Sequence, residues 1–117
     1  MKNTILTKEQ FNEIIESRIE KIKATLYQKN KEYARNDKPL HNFYKAARIA
    51  DTTPENTLFG FMLKHYVSIT DMLENSSDYS KELWQEKIGD MINYLILLEA
   101  MIIEEIELKN GVISDEN

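Results

Sequence analysis

The stretch Trp84 to Ile103, WQEKIGDMINYLILLEAMII, constrains this chain more than any other. Wound at 100° per residue, it gathers Trp84, Ile88, Ile92, Leu95, Ile102 and, just beyond, Ile106 on one apolar stripe and sets Glu86, Asp90 and Asn93 on the opposite side. That opposite side is not purely polar. Leu97 and Met101 continue the line of Asp90 and Asn93, and Ile96, Leu98 and Ile103 fill the flanks. From Met91 to Ile103 the helix is therefore apolar almost all round. Such a helix is expected to be buried on more than one side, with its acidic set at the edge of a second packed surface.

The remaining segments also read as helices. Thr7 and Gln10 form a capping-box pattern, and Phe11, Ile14, Ile15, Ile19, Ile22, Leu26 and Tyr33 follow at steps of three and four, a helix running to about Ala34. Glu16 and Glu20 read as solvent-face partners of basic residues at helical spacing. Asn36, Asp37 and Pro39 end that helix. A short helix from Phe43 to Ala50 follows, with Asn42 as its expected N-cap and Phe43, Ala46, Ala47 and Ala50 facing inward. Thr53 and Pro54 open a third, whose Leu58, Phe59, Met62, His65, Tyr66, Ile69, Met72 and Leu73 are expected on the core side. On its other side Lys64 and Asp71 lie two turns apart on one face, with Gly60, Val67 and Ser68. Ser80 caps the fourth helix, which runs to about Asn110, where Gly111 stops it. The expected fold is all-α: a single domain over residues 1–117, an antiparallel bundle of three long helices and one short one, oligomeric, with its core in about 7–110 and a loose tail at 112–117.

Composition narrows the function classes. Without cysteine there is neither a disulfide framework nor a thiolate metal site, and two histidines argue against zinc. The longest apolar run is broken by Asn93, Tyr94 and Glu99, too short to span a bilayer, and the N-terminus lacks a signal-peptide core, so a cytoplasmic protein with no membrane partner is expected. Between Lys21 and Arg48 eight basic residues stand against two acids, a local +6 that leaves −11 on the remainder of a chain of net charge −5. A basic segment in an acidic protein fits a local anion site, not a duplex nucleic acid, which the overall field would repel. The alternative is an ordinary solvated helix end.

Two constellations carry candidate chemistry. Glu86 and Asp90, one turn apart, could bind magnesium through carboxylate oxygens, with Asp71 as a third ligand if the last two long helices pack antiparallel; alternatively they are surface acids contacting Lys87 or Lys64. Lys31, Tyr33, Arg35, Lys38, His41 and Asn42 combine positive charge, an aromatic face and hydrogen-bonding groups, which is what a nucleotide's phosphate, base and sugar require. His65 reads as a core histidine. No serine or threonine sits in a recognisable nucleophile setting and no Gly-rich phosphate loop is present, so no catalytic residue is assigned.

The order Lys31-Glu32-Tyr33, His41-Asn42-Phe43 with Ala46-Ala47, Thr53-Pro54-Glu55, Met62-Leu63-Lys64-His65 with Ser68 and Asp71, then Trp84-Gln85-Glu86-Lys87-Ile88-Gly89-Asp90 and Asn93-Tyr94-Leu95 resembles the phage-associated family called nucleotide-modification-associated domain 1, over roughly residues 30–101. That family is all-helical, encoded largely by phages and prophages, and linked to nucleotides by genomic association. The resemblance implies a nucleotide-type ligand and, for a phage protein, the host cell cytoplasm. The last helix is also similar to the final acidic helix of MazG-like NTP pyrophosphohydrolases. Asp90 matches that pattern, but Lys87 stands where its glutamate belongs, and the earlier paired glutamates have no counterpart beyond Asp71.

The expectation is a homo-oligomeric nucleotide-binding protein without turnover and without a cofactor, sequestering a nucleotide such as a host immune signal. Lys31, Arg35, Lys38 and Lys64 would hold the anion, Tyr33, His41 and Asn42 would contact base or sugar, and Asp71, Glu86, Asp90 and Asn93 would fix hydroxyls or the lysines. The alternatives are a magnesium-dependent MazG-like pyrophosphohydrolase using Asp71, Glu86 and Asp90, a nucleotide-modification accessory protein, or a purely structural helical interaction protein.

Overall fold

Each long helix begins where a short polar side chain can take up orphan backbone amides. In the computed structural model, which describes residues 3–33 and 38–114, these starts open α1 (Lys8–Tyr33), α3 (Pro54–Leu73) and α4 (Lys81–Lys109); α2 (His41–Ala50) is the short helix. At α1 the Gln10 amide donates to Thr7 Oγ1 at 3.1 Å while the Thr7 amide donates to Gln10 Oε1 at 2.9 Å, the reciprocal capping box. Asn56 N–H donates to Thr53 Oγ1, with Pro54 at the first helical position, and Leu83 N–H donates to Ser80 Oγ. Gly111, at φ 75°, takes the left-handed conformation just beyond α4.

The start of α2 differs from expectation. Its N-cap is Leu40, without a side-chain cap, and Asn42 is the exposed second residue of the helix. The backbone does the capping: His41 N–H donates to the Lys38 carbonyl and Phe43 N–H to the Leu40 carbonyl. Leu40 itself is buried, so apolar packing sets the entry angle.

The core is small. Leu40, Leu58 and Met62 close on Met101 of α4, with Phe43, Tyr44, Met91, Tyr94, Leu97 and Leu98 packed around them. The α2–α3 seam is an edge-on contact of Phe43 with Phe61, and the α2–α4 seam is a hydrogen bond from the Tyr44 hydroxyl to Glu104 Oε1. Along the α3–α4 seam Phe61 meets Tyr94 and His65 meets Asp90, so rising numbers on α3 pair with falling numbers on α4. The connection is pinned by Trp84 Nε1, which donates to the Ser76 carbonyl at 2.9 Å. α1 packs against α4.

The largest departure from expectation lies on α4. The face turned to α3 is the line Asp90, Tyr94, Leu97 and Met101, of which Met101 is fully buried. The stripe Ile88, Leu95, Ile102 and Ile106 lies round on the other side of the helix, and each of these four is roughly half exposed. A helix apolar on both sides has no single preferred inward direction, so the partner decides; here α3 offers Leu58 and Met62 beside His65, which suits the mixed line better than the aliphatic one. Phe59, Tyr66 and Leu73, expected inside, are likewise exposed on α3, whose inner line is Leu58, Met62, His65, Ile69 and Met72. Ala50 is exposed at the end of α2, while Ala47 is buried. On α1, Phe11, Ile14, Ile15 and Ile19 remain substantially exposed, and among the described residues further along the same stripe Ile22 and Leu26 are partly covered.

The molecule is accordingly long, 57 × 30 × 27 Å. Its radius of gyration is 17.6 Å, against about 13 Å for a compact domain of this length. Among the described residues no helix is long and apolar enough to cross a membrane.

Candidate functional site

Gly89 makes the site possible. It is the buried point at which α1 approaches α4: a Cβ there would stand 2.5 Å from Nη1 of Arg18. The guanidinium lies across this glycine and its Nη2 donates to the Gln85 carbonyl at 3.0 Å. One of the five guanidinium N–H donors is thereby used. Around it Lys21 and Thr25 of α1 and Glu82, Gln85, Glu86, Asp90 and Asn93 of α4 line a groove of about 250 Å³. The groove therefore places two cations opposite three carboxylates and two amides. Asn93 Oδ1 is buried in the groove wall without a hydrogen-bond partner among the described residues, an arrangement that costs on the order of 1–3 kcal/mol relative to a satisfied acceptor.

Asp90 belongs to two environments. On its other side Oδ2 lies 3.7 Å from Nδ1 of His65, an electrostatic contact when the imidazole is protonated and too long for a direct hydrogen bond. His65 is thus a half-buried partner of Asp90 at the rim of the core. Its ring lies 5.1 Å from that of Tyr94, which stacks on Phe61 at 6.4 Å, and Lys64 Nζ hangs 5.8 Å over Phe61. Burial, and secondarily the Asp90 carboxylate, raises the Tyr94 hydroxyl pKa, so this phenol stays protonated. The Tyr44 hydroxyl is pushed far above its ordinary range, first by burial, then by its hydrogen bond to Glu104 and that carboxylate's charge, with smaller contributions from Glu55 and Glu105.

Of the residues expected to form a site, the structure brings together Glu86, Asp90 and Asn93. Lys64 and Asp71 do share a face of α3, but both are exposed and neither lines the groove. Asp71 stands about 100° around the helix from Met72, its buried neighbour, so it is turned away from Glu86 and Asp90. Among the described residues no three His, Asp or Glu side chains are grouped so as to hold a metal ion. His41 is partly buried at the first position of α2, and Lys38 and Asn42 are exposed; none lines the groove. Lys31 and Tyr33 lie in the last turn of α1, but their side chains, like the whole of Arg35, fall outside the described residues, as do 115–117 of the expected tail.

Sequence reasoning missed Arg18 and Thr25, and counted Lys21 only as part of a basic run. A signal was present: Arg18 interrupts the apolar stripe of α1 between Ile15 and Ile22, and Gly89 interrupts a helix otherwise rich in large side chains. A cation on one stripe and a glycine on another are a matched pair once the helices are known to cross. No family model matches the chain, and neither the curated proteins nor the solved structures give a match.

Proposed function

We propose that the chain binds a nucleotide-type small molecule in the α1–α4 groove and holds it without turnover, as one subunit of an antiparallel, oligomeric helical bundle. The observation that carries this reading is the Arg18 guanidinium held over Gly89, with donors to spare, beside Lys21 and opposite the amides and carboxylates of Gln85, Glu86, Asp90 and Asn93. The two cations suit phosphate oxygens. Glu86 and Asp90 accept from ribose hydroxyls or exocyclic amines, and a ligand N–H or O–H directed at Asn93 Oδ1 satisfies that acceptor. Lys31, Tyr33 and Arg35, later in the sequence, would extend the site towards a second phosphate or a base. The resemblance to the nucleotide-modification-associated family supports the same ligand class and a phage setting, in which sequestering a host signalling nucleotide in the cytoplasm is the matching role.

A second reading has one observation in its favour. Glu86 and Asp90 share the groove wall, and two carboxylates with a substrate phosphate are a usual magnesium shell. That reading is a MazG-like pyrophosphohydrolase.

One experiment separates the two. The protein is incubated with a panel of mono-, di- and cyclic nucleotides and magnesium, separated from free ligand, and heated to release what it holds. Sequestration predicts a nucleotide recovered unchanged, and not retained by Arg18→Glu. Recovery of cleaved product only assigns the groove to hydrolysis, and retention of none by the wild type overturns nucleotide binding altogether.

A further inference from the structure

Among the described residues, two apolar surfaces are left largely uncovered by the chain itself. The first is a groove of about 410 Å³ along the outer side of α4, lined by Ile92, Leu95, Ile96, Leu98, Ile102 and Ile103, with the exposed Glu99 at its edge. The second is the N-terminal half of the α1 stripe, Phe11, Ile14, Ile15 and Ile19, bordered by the exposed Lys8. The acids of this half of α1, Glu9, Glu13, Glu16 and Glu20, all fall on the opposite side of the helix and leave the stripe clear. One surface is a ridge of bulky side chains, the other is concave, and their charged edges are of opposite sign.

The chain as a whole exposes more surface than a compact chain of this size ordinarily shows. The accessible surface is 9421 Å², where a compact monomer of 13.8 kDa exposes about 6,600 Å², an excess of about 2,800 Å². A stable pairwise contact takes about 800 Å² from each partner. Contiguous apolar patches beyond a few hundred Å² on a soluble chain mark interfaces.

We infer that this surface is an interface between copies of the chain: the Phe11–Ile19 ridge of α1 from one copy seats in the Ile92–Ile103 groove on α4 of another. The inference rests on packing alone and is independent of what the polar groove binds. In a two-fold pair each copy gives one ridge and receives one, so the contact is made twice and no ridge is left over. The contact also bears on the candidate site. α1 carries Arg18, Lys21 and Thr25, yet beyond the Arg18 contact its ridge Phe11–Ile19 stays largely exposed within one chain, so the second copy steadies the helix that presents those cations.

Sedimentation equilibrium of the wild type, with Phe11→Glu and Leu95→Glu as variants, tests this. Both substitutions are at half-exposed positions, and helical circular dichroism checks that each variant folds. The wild type is expected at a mass of two or more chains and each variant at that of one. The chain has no cysteine, so the Ile15→Cys, Leu95→Cys double variant provides a second readout: oxidation is expected to give a disulfide-linked species larger than one chain. A wild type that stays monomeric throughout the micromolar range overturns the inference, including the case in which it then binds lipid vesicles through this face. Association that survives both glutamate variants but is lost in Phe59→Glu places the contact on α3 and overturns it equally.

Discussion

The two sides of α4 are almost equally apolar in sequence and have opposite fates. The side carrying Asp90, Tyr94, Leu97 and Met101 is covered by α3 and contributes Met101, with no exposed surface, to the core. The side carrying Ile88, Leu95, Ile102 and Ile106 has more aliphatic surface and remains half exposed within the chain. Hydrophobicity alone therefore did not select the inner face. The mixed line won because its polar members have partners across the seam: His65 for Asp90 and Phe61 for the Tyr94 ring. The purely aliphatic line needs only another apolar surface, which a second copy can supply.

The contrast breaks first at Met101. Met101→Ala should cost about 2–5 kcal/mol, the range for truncating a fully buried methionine, and the melting temperature should fall alike at every protein concentration. Leu95→Ala should behave differently: if copies associate through this face, as proposed, the variant's melting temperature should lose the dependence on concentration that the wild type shows. Equal, concentration-independent losses at the two sites would remove the distinction between the faces.

The next largest effect concerns the polar edge. Replacing Asn93 by Leu removes the unpaired buried acceptor, and a gain of about 1 kcal/mol in urea unfolding is expected, together with loss of nucleotide retention. A loss of stability would show that the Asn93 amide is satisfied in solution. Gly89→Ala should change stability by no more than about 1 kcal/mol, because the better helix propensity of alanine offsets displacement of the flexible end of Arg18. Weakened ligand binding with intact stability is the signature sought there; a large stability loss would mean that the α1–α4 contact cannot relax.

The smallest effect at neutral pH belongs to Tyr44, at the α2–α4 seam. Its folded pKa lies above the unfolded value of 10.0, so the stability it confers is complete below pH 10 and is lost as pH rises beyond that towards the folded value. Tyr44→Phe should therefore flatten the alkaline decline in melting temperature; an unchanged decline would place its origin elsewhere.

Much of the local structure was legible in the sequence, because capping is local chemistry. Thr7 with Gln10, Thr53 with Pro54, and Ser80 each marked a helix start that the structure shows. What sequence could not resolve was direction. From Met91 to Ile103 the pattern supports either face, and the choice depends on α3, remote in sequence. The same limit misplaced Phe59 and Tyr66, whose stripe on α3 adjoins the buried one. At the site, Glu86, Asp90 and Asn93 were legible as a cluster because they share one helix. Arg18 was not, since its partners Gln85 and Gly89 lie on another helix some seventy residues on.

The most direct test of the account is thermal unfolding of the wild type and Arg18→Ala across a nucleotide panel. A ligand at a hundred times its Kd stabilises the native state by about 2.7 kcal/mol, so at least one nucleotide should raise the wild-type melting temperature by several degrees. The same nucleotide should shift Arg18→Ala far less. A wild type that no nucleotide stabilises, or an equal shift in both proteins, would contradict a nucleotide site in the α1–α4 groove.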